Sequence, residues 1–178
     1  METSIKIPTN DNHIIYATLN SHESKKNKLI IFVHGLTGSQ NEHHYFNAVK
    51  FFCPKGYDTL RFNLYTSKPQ ARQLSECDIS THAKDINTVI NFIKNDYTEI
   101  YLIGHSLGCP SIWNANISHA KKIIYWDPTK GMKSLEEKNA TYNNVLGLYI
   151  FRGDIRCFLR YAPKTILILG EMKYNINT

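Results

Sequence analysis

A glycine-flanked serine is the residue of this sequence best suited to covalent chemistry. Gly104-His105-Ser106-Leu107-Gly108 matches the pattern G-x-S-x-G and stands between a predicted strand at residues 99–103 and a predicted helix at residues 110–119. A strand that turns sharply into a helix lifts the serine hydroxyl above the sheet, and the glycines let the two elements approach closely. The helix N-terminus favours the negative charge that develops in acyl transfer. The pattern therefore predicts a nucleophilic serine at position 106.

A second glycine-containing loop follows an earlier apolar run. His34-Gly35-Leu36 comes directly after the predicted strand at residues 29–33. An oxyanion hole needs two backbone N–H groups that point at one oxygen atom. We predict that the amide of Leu107 and the amide of Leu36 form this pair, because Gly35 permits a tight turn there.

The elements that would carry these loops alternate between strands and helices. The first two predicted strands flank a polar turn and indicate an antiparallel hairpin. Later strands are separated by helical segments, which favours a mostly parallel α/β sheet flanked by helices. We predict a single domain over residues 1–178, with strands at residues 4–7, 14–19, 29–33, 57–62, 99–103, 122–126 and 165–169 and helices at residues 42–52, 79–94 and 110–119.

The two loops together resemble the α/β-hydrolase superfamily. His34 to Glu42 reads H-G-x-x-G-S-x-x-E and, with the G-x-S-x-G motif, is similar to small carboxylesterases of the cinnamoyl or feruloyl esterase type and to the serine aminopeptidase-like group. The resemblance implies a serine acyl hydrolase with a small acyl-type substrate, Ser106 as nucleophile, and the amides of Leu36 and Leu107 as oxyanion hole. It also implies a cap-like insertion at residues 128–160.

The resemblance implies a catalytic acid and then a histidine after the serine. The family's last strand and helix, which carry that histidine, have no counterpart before Thr178. Asp127, at the end of a predicted strand, is the favoured acid. Glu171 is the alternative, because Lys173 stands where the family's aspartate is expected. We therefore expect an incomplete triad and weak activity.

The loop after the predicted strand at residues 57–62 departs from the family. It reads Asn63-Leu64-Tyr65-Thr66-Ser67, without glycines, whereas the resemblance implies a loop of the pattern D-x-x-G-x-G-x-S at this place. The conformation of this loop near the serine is therefore expected to differ from that of the family.

The source of a general base is the open question of the predicted site. A serine hydroxyl is a weak nucleophile until a base removes its proton. His119 is the one histidine after Ser106, and it falls near the far end of the predicted helix, about 15 Å or more from the serine. His34, beside the oxyanion loop, or a histidine of a second subunit is the alternative base.

Three further histidines are expected to have no catalytic role. His105 should point away from the neighbouring serine side chain. His43 and His44 begin a predicted helix and are expected to be exposed, because the sequence identifies no further ligands beside them. No metal and no cofactor are predicted.

Composition excludes several classes of function. The formal net charge is +6, but the basic residues are scattered and their densest cluster, at residues 25–28, falls in a predicted turn, so no nucleic-acid partner is expected.

No apolar run approaches the roughly 20 residues that a membrane span needs, and the N-terminus lacks the apolar segment of a secretion signal. The four cysteines contain no C-x-x-C pair. We expect a cytoplasmic protein without membrane contact.

Two functional hypotheses follow. The first is a serine esterase of the α/β-hydrolase fold whose triad is incomplete. The second is a non-catalytic binding or interaction protein that keeps the hydrolase pocket. In either case the strand at residues 165–169 would form an exposed edge of the sheet, through which the chain could form an oligomer.

Overall fold

The computed structural model describes residues 1–21 and 27–126 in full, and beyond them the backbone of three short strands. Seven strands form one mixed sheet: β1 (Glu2–Pro8), β2 (Ile14–Asn20), β3 (Lys28–Val33), β4 (Asp58–Phe62), β5 (Glu99–His105), β6 (Ala120–Trp126) and β9 (Thr165–Ile168). Two further strands, β7 (Thr141–Asn143) and β8 (Leu148–Ile150), pair with each other. The rest of the predicted cap-like insertion lies outside the described residues.

The order of strands across the sheet is β1-β2-β4-β3-β5-β6-β9. β1, β2 and β4 are antiparallel neighbours, whereas β4, β3, β5, β6 and β9 are all parallel. The predicted hairpin and the mostly parallel sheet are therefore confirmed. In the register of the two central strands, Val33 lies opposite Gly104. The loops that follow β3 and β5 consequently begin side by side at one edge of the sheet.

Helices cover both faces of the sheet, and they are α1 (His43–Phe52), α2 (Ile79–Ile93) and α3 (Gly108–Trp113). β3 is buried on both sides, as expected of a central parallel strand. Its alternate residues Ile30 and Phe32 pack with Tyr45 of α1, while Leu29 and Ile31 belong to the larger core beneath α2 and α3. Within the described residues, no helix is long and apolar enough to cross a membrane.

The longest helix, α2, forms where its amphipathic pattern predicts it. The apolar stripe is buried and consists of Ile86, Val89, Ile90 and Ile93. Asp78 caps the N-terminus, because its carboxylate accepts a hydrogen bond of 2.7 Å from the N–H of Thr81. This cap defines the residue at which the helix begins.

The prediction of a helix over residues 110–119 is wrong in extent, because α3 ends at Trp113. Asparagines interrupt it. The side-chain amide of Asn114 donates to the carbonyl of Pro110 at 2.8 Å, and the N–H of Asn116 donates to Asn87 Oδ1 at 2.8 Å. Such side-chain bonds offer the backbone an alternative to continued helix. The chain therefore turns early and enters β6.

Candidate active site

Ser106 occupies a strained turn between β5 and α3. Its φ is 50°, in the left-handed region that costs a residue with a side chain about 1–3 kcal/mol. Two backbone hydrogen bonds hold the turn: the N–H of Ser106 donates to the carbonyl of Trp126, and the N–H of Cys109 donates to the carbonyl of Ser106, both at 3.1 Å. The serine side chain is half-buried. The turn is therefore fixed by β6 on one side and by the first turn of α3 on the other.

Glycines let three backbone segments meet at the serine. A Cβ atom at Gly108 would lie 2.3 Å from the carbonyl oxygen of Val33, and one at Gly104 would lie 2.9 Å from the carbonyl group of Gly108. A Cβ atom at Gly35 would lie 2.9 Å from the Cβ of Ser106. Since real Cβ contacts are longer than this, the loop after β3 touches the serine turn directly.

Three donors converge on the carbonyl oxygen of Gly35. They are the N–H of Gly38 at 3.1 Å, Nδ1 of His34 at 2.8 Å and the hydroxyl of Tyr65 at 3.2 Å. The C=O and N–H of a trans peptide group point in opposite directions. These bonds therefore also fix the direction of the Leu36 N–H, which belongs to the same peptide group.

Two backbone N–H groups beside the serine turn are available to a ligand. Within the described residues, neither the N–H of Leu36 nor the N–H of Leu107 donates a hydrogen bond. Leu107 directly follows Ser106 and precedes the first residue of α3. These are the two amides that the sequence predicts for an oxyanion hole.

His34 is buried, and both of its ring nitrogens are engaged. The N–H of Leu64 donates to Nε2 at 3.0 Å, so Nδ1 carries the proton that is donated to the Gly35 carbonyl. Burial lowers the pKa of His34 to about 4, which keeps the ring neutral. The alternative in which His34 takes the proton of Ser106 is contradicted by these two bonds.

The loop after β4 supplies part of this framework. Besides Leu64 and Tyr65, it contributes Asn63, whose Oδ1 accepts a hydrogen bond of 2.9 Å from the N–H of Gln40. The glycine-free segment at residues 63–67 therefore stabilises the loop after β3 through hydrogen bonds of its side chains and main chain. Sequence reasoning singled out these residues as a departure from the family but did not find this stabilising role.

The other histidine weighed as a base is remote from the serine. β5 and β6 are parallel, with His105 opposite Trp126 and Ile100 opposite Ala120. His119 directly precedes β6 and is exposed, so it lies about 20 Å from Ser106 at the strand rise of about 3.3 Å per residue. Both acids predicted from the sequence, Asp127 and Glu171, lie outside the described residues.

His105, the residue before Ser106, packs against α1. Its ring centroid lies 5.1 Å from that of His44 and 5.3 Å from that of Trp126. The expectation that His44 is exposed is wrong, because α1 presses its ring against the end of β5; His43 is exposed as predicted.

Among the described residues, one group of side chains could hold a metal ion, and it consists of Glu42, His44 and His105. Burial raises the pKa of Glu42 and lowers that of His44. Sequence reasoning missed the group because His105 is far along the chain from Glu42 and His44. The one local signal is the spacing Glu-x-His at the start of α1.

Buried polar side chains of α2 and α3 contact the serine turn and the segment after β4. The hydroxyl of Ser111, in α3, donates to the carbonyl of Leu107 at 2.8 Å, and Nδ1 of His82, in α2, lies 3.2 Å from that hydroxyl. One turn along α2, Asp85 forms a two-pronged ion pair with Arg72, with both N–O distances at 3.0 Å. The pair joins α2 to the segment that follows β4.

Solved structures share this fold. Est1E from Butyrivibrio proteoclasticus is 23% identical, with 83% of this chain and 58% of that chain covered and a TM-score of 0.65. The Pyrococcus furiosus esterase Pf2001 is 18% identical, with 72% and 52% covered and a TM-score of 0.61. The alpha/beta hydrolase GrgF from Penicillium sp. sh18 is 15% identical, with 72% and 46% covered and a TM-score of 0.63. The chain thus spans about half the length of these proteins.

The family comparison covers most of the described chain. No curated protein that was compared matches the sequence significantly. The family described as "Putative serine esterase (DUF676)" matches residues 23–138, a segment that includes both the loop after β3 and the turn at Ser106. The chain therefore belongs to this DUF676 family and has the α/β-hydrolase fold.

Proposed function

We propose that the protein is a serine hydrolase that cleaves carboxylic esters or related acyl bonds, with Ser106 as its nucleophile. The observation that carries the proposal is the left-handed turn at Ser106 with two unengaged N–H groups beside it. This combination is typical of a nucleophile elbow and its oxyanion hole. Family membership and fold support the same assignment.

The reaction would proceed through an acyl-enzyme. The hydroxyl oxygen of Ser106 attacks the ester carbonyl carbon while its proton passes to water, which returns a proton to the departing alcohol. The resulting oxyanion accepts hydrogen bonds from the N–H groups of Leu36 and Leu107. Collapse of this intermediate breaks the ester bond, releases the alcohol and leaves an acyl-serine that water hydrolyses. Each oxyanion donor typically contributes about 2.7–4 kcal/mol to transition-state stabilisation.

Weak activity follows from the histidines. His34 is committed to Leu64 and Gly35, His119 is remote, and no histidine of the described residues forms a hydrogen bond with Ser106. The triad is therefore proposed to be incomplete, with Asp127 as the favoured acid and Glu171 as the alternative. An oxyanion hole and substrate positioning alone supply roughly 10³–10⁴ over the reaction in water.

The same observation favours a second candidate function. A protein that has an oxyanion-binding loop, and no available base among the residues that the structure describes, is suited to hold an acyl ligand without turning it over. This candidate is the non-catalytic binding protein, and its ligand would be a carboxylic acid or ester that places an oxygen at the amides of Leu36 and Leu107.

The choice of test compounds follows from a relative. One solved structure of Est1E, 24% identical to this chain, is described as holding ferulic acid. Hydrolysis should therefore be measured with two esters, methyl ferulate, which is a hydroxycinnamate ester, and p-nitrophenyl acetate. Binding of ferulic acid itself is to be measured by calorimetry.

Labelling with a fluorophosphonate, followed by mass spectrometry of the adduct, tests the nucleophile. We expect slow labelling at Ser106, its loss in Ser106→Ala, and its retention in the matched control Ser118→Ala, which alters an exposed serine. Rapid stoichiometric labelling would contradict the incomplete triad. An adduct that persists in Ser106→Ala would contradict the nucleophile, and ligand binding without any adduct would favour the binding protein.

A further inference from the structure

A glutamate and two histidines converge where the start of α1 meets the end of β5. Glu42 precedes α1, His44 lies in its first turn, and His105 is the last residue of β5. One ligand atom from each residue lies within 4.8 Å of the other two. Glu42 Oε2 and His44 Nε2 are 3.3 Å apart. That separation suits two ligands at about 2.0–2.1 Å from one tetrahedral ion.

The atoms that these residues contribute are buried and lack hydrogen bonds. Glu42 Oε2, His44 Nε2 and His105 Nδ1 are all closed to solvent and have no hydrogen-bond partner in the part of the chain that the structure describes. Buried polar atoms are nearly always paired, so three unpaired atoms at one place require an explanation. A shared proton would join the carboxylate to one histidine, and the neighbouring hydroxyl of Tyr45 could donate to Glu42, but neither would pair the nitrogen of the other ring. A single metal ion would satisfy all three.

The surroundings hold the rings in place. The ring of His44 packs edge-on against Tyr45 and Trp126, with centroids 4.1 Å and 4.8 Å away, and the ring of His105 lies 5.3 Å from that of Trp126. A Cβ atom at Gly35 would lie 3.5 Å from His105 Nδ1, so the glycine leaves open the space beside that nitrogen. Ligands locked by packing are what a preorganised metal site needs.

We propose that Glu42, His44 and His105 bind one divalent transition-metal ion, with Zn²⁺ as the favoured occupant. Two imidazole nitrogens and one carboxylate oxygen are a ligand set that suits Zn²⁺, and water takes the fourth position. The ion joins the segment after β3 to the end of β5, which carries Ser106. This proposal does not depend on Ser106 being a nucleophile.

The test uses the full 178-residue chain, stripped with a chelator and then titrated with Zn²⁺ alone. We expect one bound ion per chain by calorimetry and by metal analysis, and a higher melting temperature in its presence. Co²⁺ should give the visible absorption of a tetrahedral site and quench part of the tryptophan fluorescence, because Trp126 packs against His44.

Ligand variants separate this site from adventitious binding at the surface. His44→Phe keeps an aromatic ring and Glu42→Gln keeps the side-chain shape, and each should weaken Zn²⁺ binding at least about 100-fold. His43→Phe, at the exposed neighbouring position, should bind as the parent does. Folded parent protein without a stoichiometric ion, or equal Zn²⁺ affinity in the parent and both ligand variants, would overturn the proposal.

Discussion

The main chain of Gly35 lies directly against the side chain of Ser106, so closely that a Cβ atom at position 35 would stand 2.9 Å from the serine Cβ. Two loops that are distant in sequence are thereby joined into one surface. The contact places the peptide group of Leu36 beside the hydroxyl that would attack a substrate. A substitution that separates the two loops should therefore lower the reactivity of Ser106 even where the rest of the fold is unchanged.

Gly35→Ala tests that contact. The added methyl group must move the loop away from the serine, and we expect the rate of fluorophosphonate labelling at Ser106 to fall roughly 10- to 100-fold, as when an oxyanion donor is displaced. The control is Ser118→Ala, which shortens an exposed side chain away from this loop. Equal rates in the two variants would contradict the oxyanion role of this loop.

Tyr65→Phe removes one of the three donors to the Gly35 carbonyl and keeps the ring. We expect stability to fall by about 0.5–1.5 kcal/mol, the net contribution of a typical hydrogen bond. Because the loss loosens the peptide group of Leu36, kcat for p-nitrophenyl acetate should fall while KM stays nearly constant. A rise in KM at constant kcat would instead assign Tyr65 to substrate binding.

The free energy of unfolding should decrease as the pH falls from about 6.5 to about 4. Burial lowers the pKa of both His34 and His82 from 6.5 to about 4, so in this range the unfolded chain binds more protons than the folded chain. The stabilisation is complete above pH 6.5 and is lost as the pH approaches 4. Denaturant unfolding between pH 7 and pH 4.5 should show this slope.

Variants identify the histidines that cause the slope. His34→Gln and His82→Gln should each reduce it, since each removes one group that the folded chain keeps neutral. His43→Gln, at an exposed position, serves as the control. A slope that is the same in all three variants and in the parent would show that these buried rings do not govern acid stability.

Arg72 and Asp85 form a buried ion pair, and we expect the effects of their substitutions on the free energy of unfolding to be strongly coupled. Arg72→Met leaves a buried carboxylate without its partner and should cost about 3–5 kcal/mol in chemical unfolding. The double variant Arg72→Met with Asp85→Leu should regain most of that loss. Lys121→Met, which removes a solvent-exposed ion pair with Glu99, should change stability little. A double variant as unstable as Arg72→Met would contradict the coupling.

Local patterns predicted the framework of the fold because they depend on neighbouring residues. The apolar run of β3 indicates a strand buried on both faces, and the stripe of α2 indicates an amphipathic helix. The sequence G-x-S-x-G requires glycine where two backbones touch, and Gly108 does meet the end of β3. These features can be derived from spacing alone.

The rest of the site depends on contacts between residues far apart in sequence. His34 and Leu64 are separated by 30 positions, and nothing in either segment alone predicts their hydrogen bond. The partial burial of His44 depends on how α1 crosses the end of β5, which the sequence of α1 does not specify. The early end of α3 was missed because it depends partly on Asn87, a residue of another helix.

The structure of the protein with a phosphonate bonded to Ser106 would test the central claim most directly. The phosphonyl oxygen imitates the oxyanion of acyl transfer. We predict that it lies about 2.7–3.1 Å from both the nitrogen of Leu36 and the nitrogen of Leu107. A phosphonyl oxygen that faces solvent, or that is bonded to neither amide, would contradict the assignment of this turn as a hydrolase site.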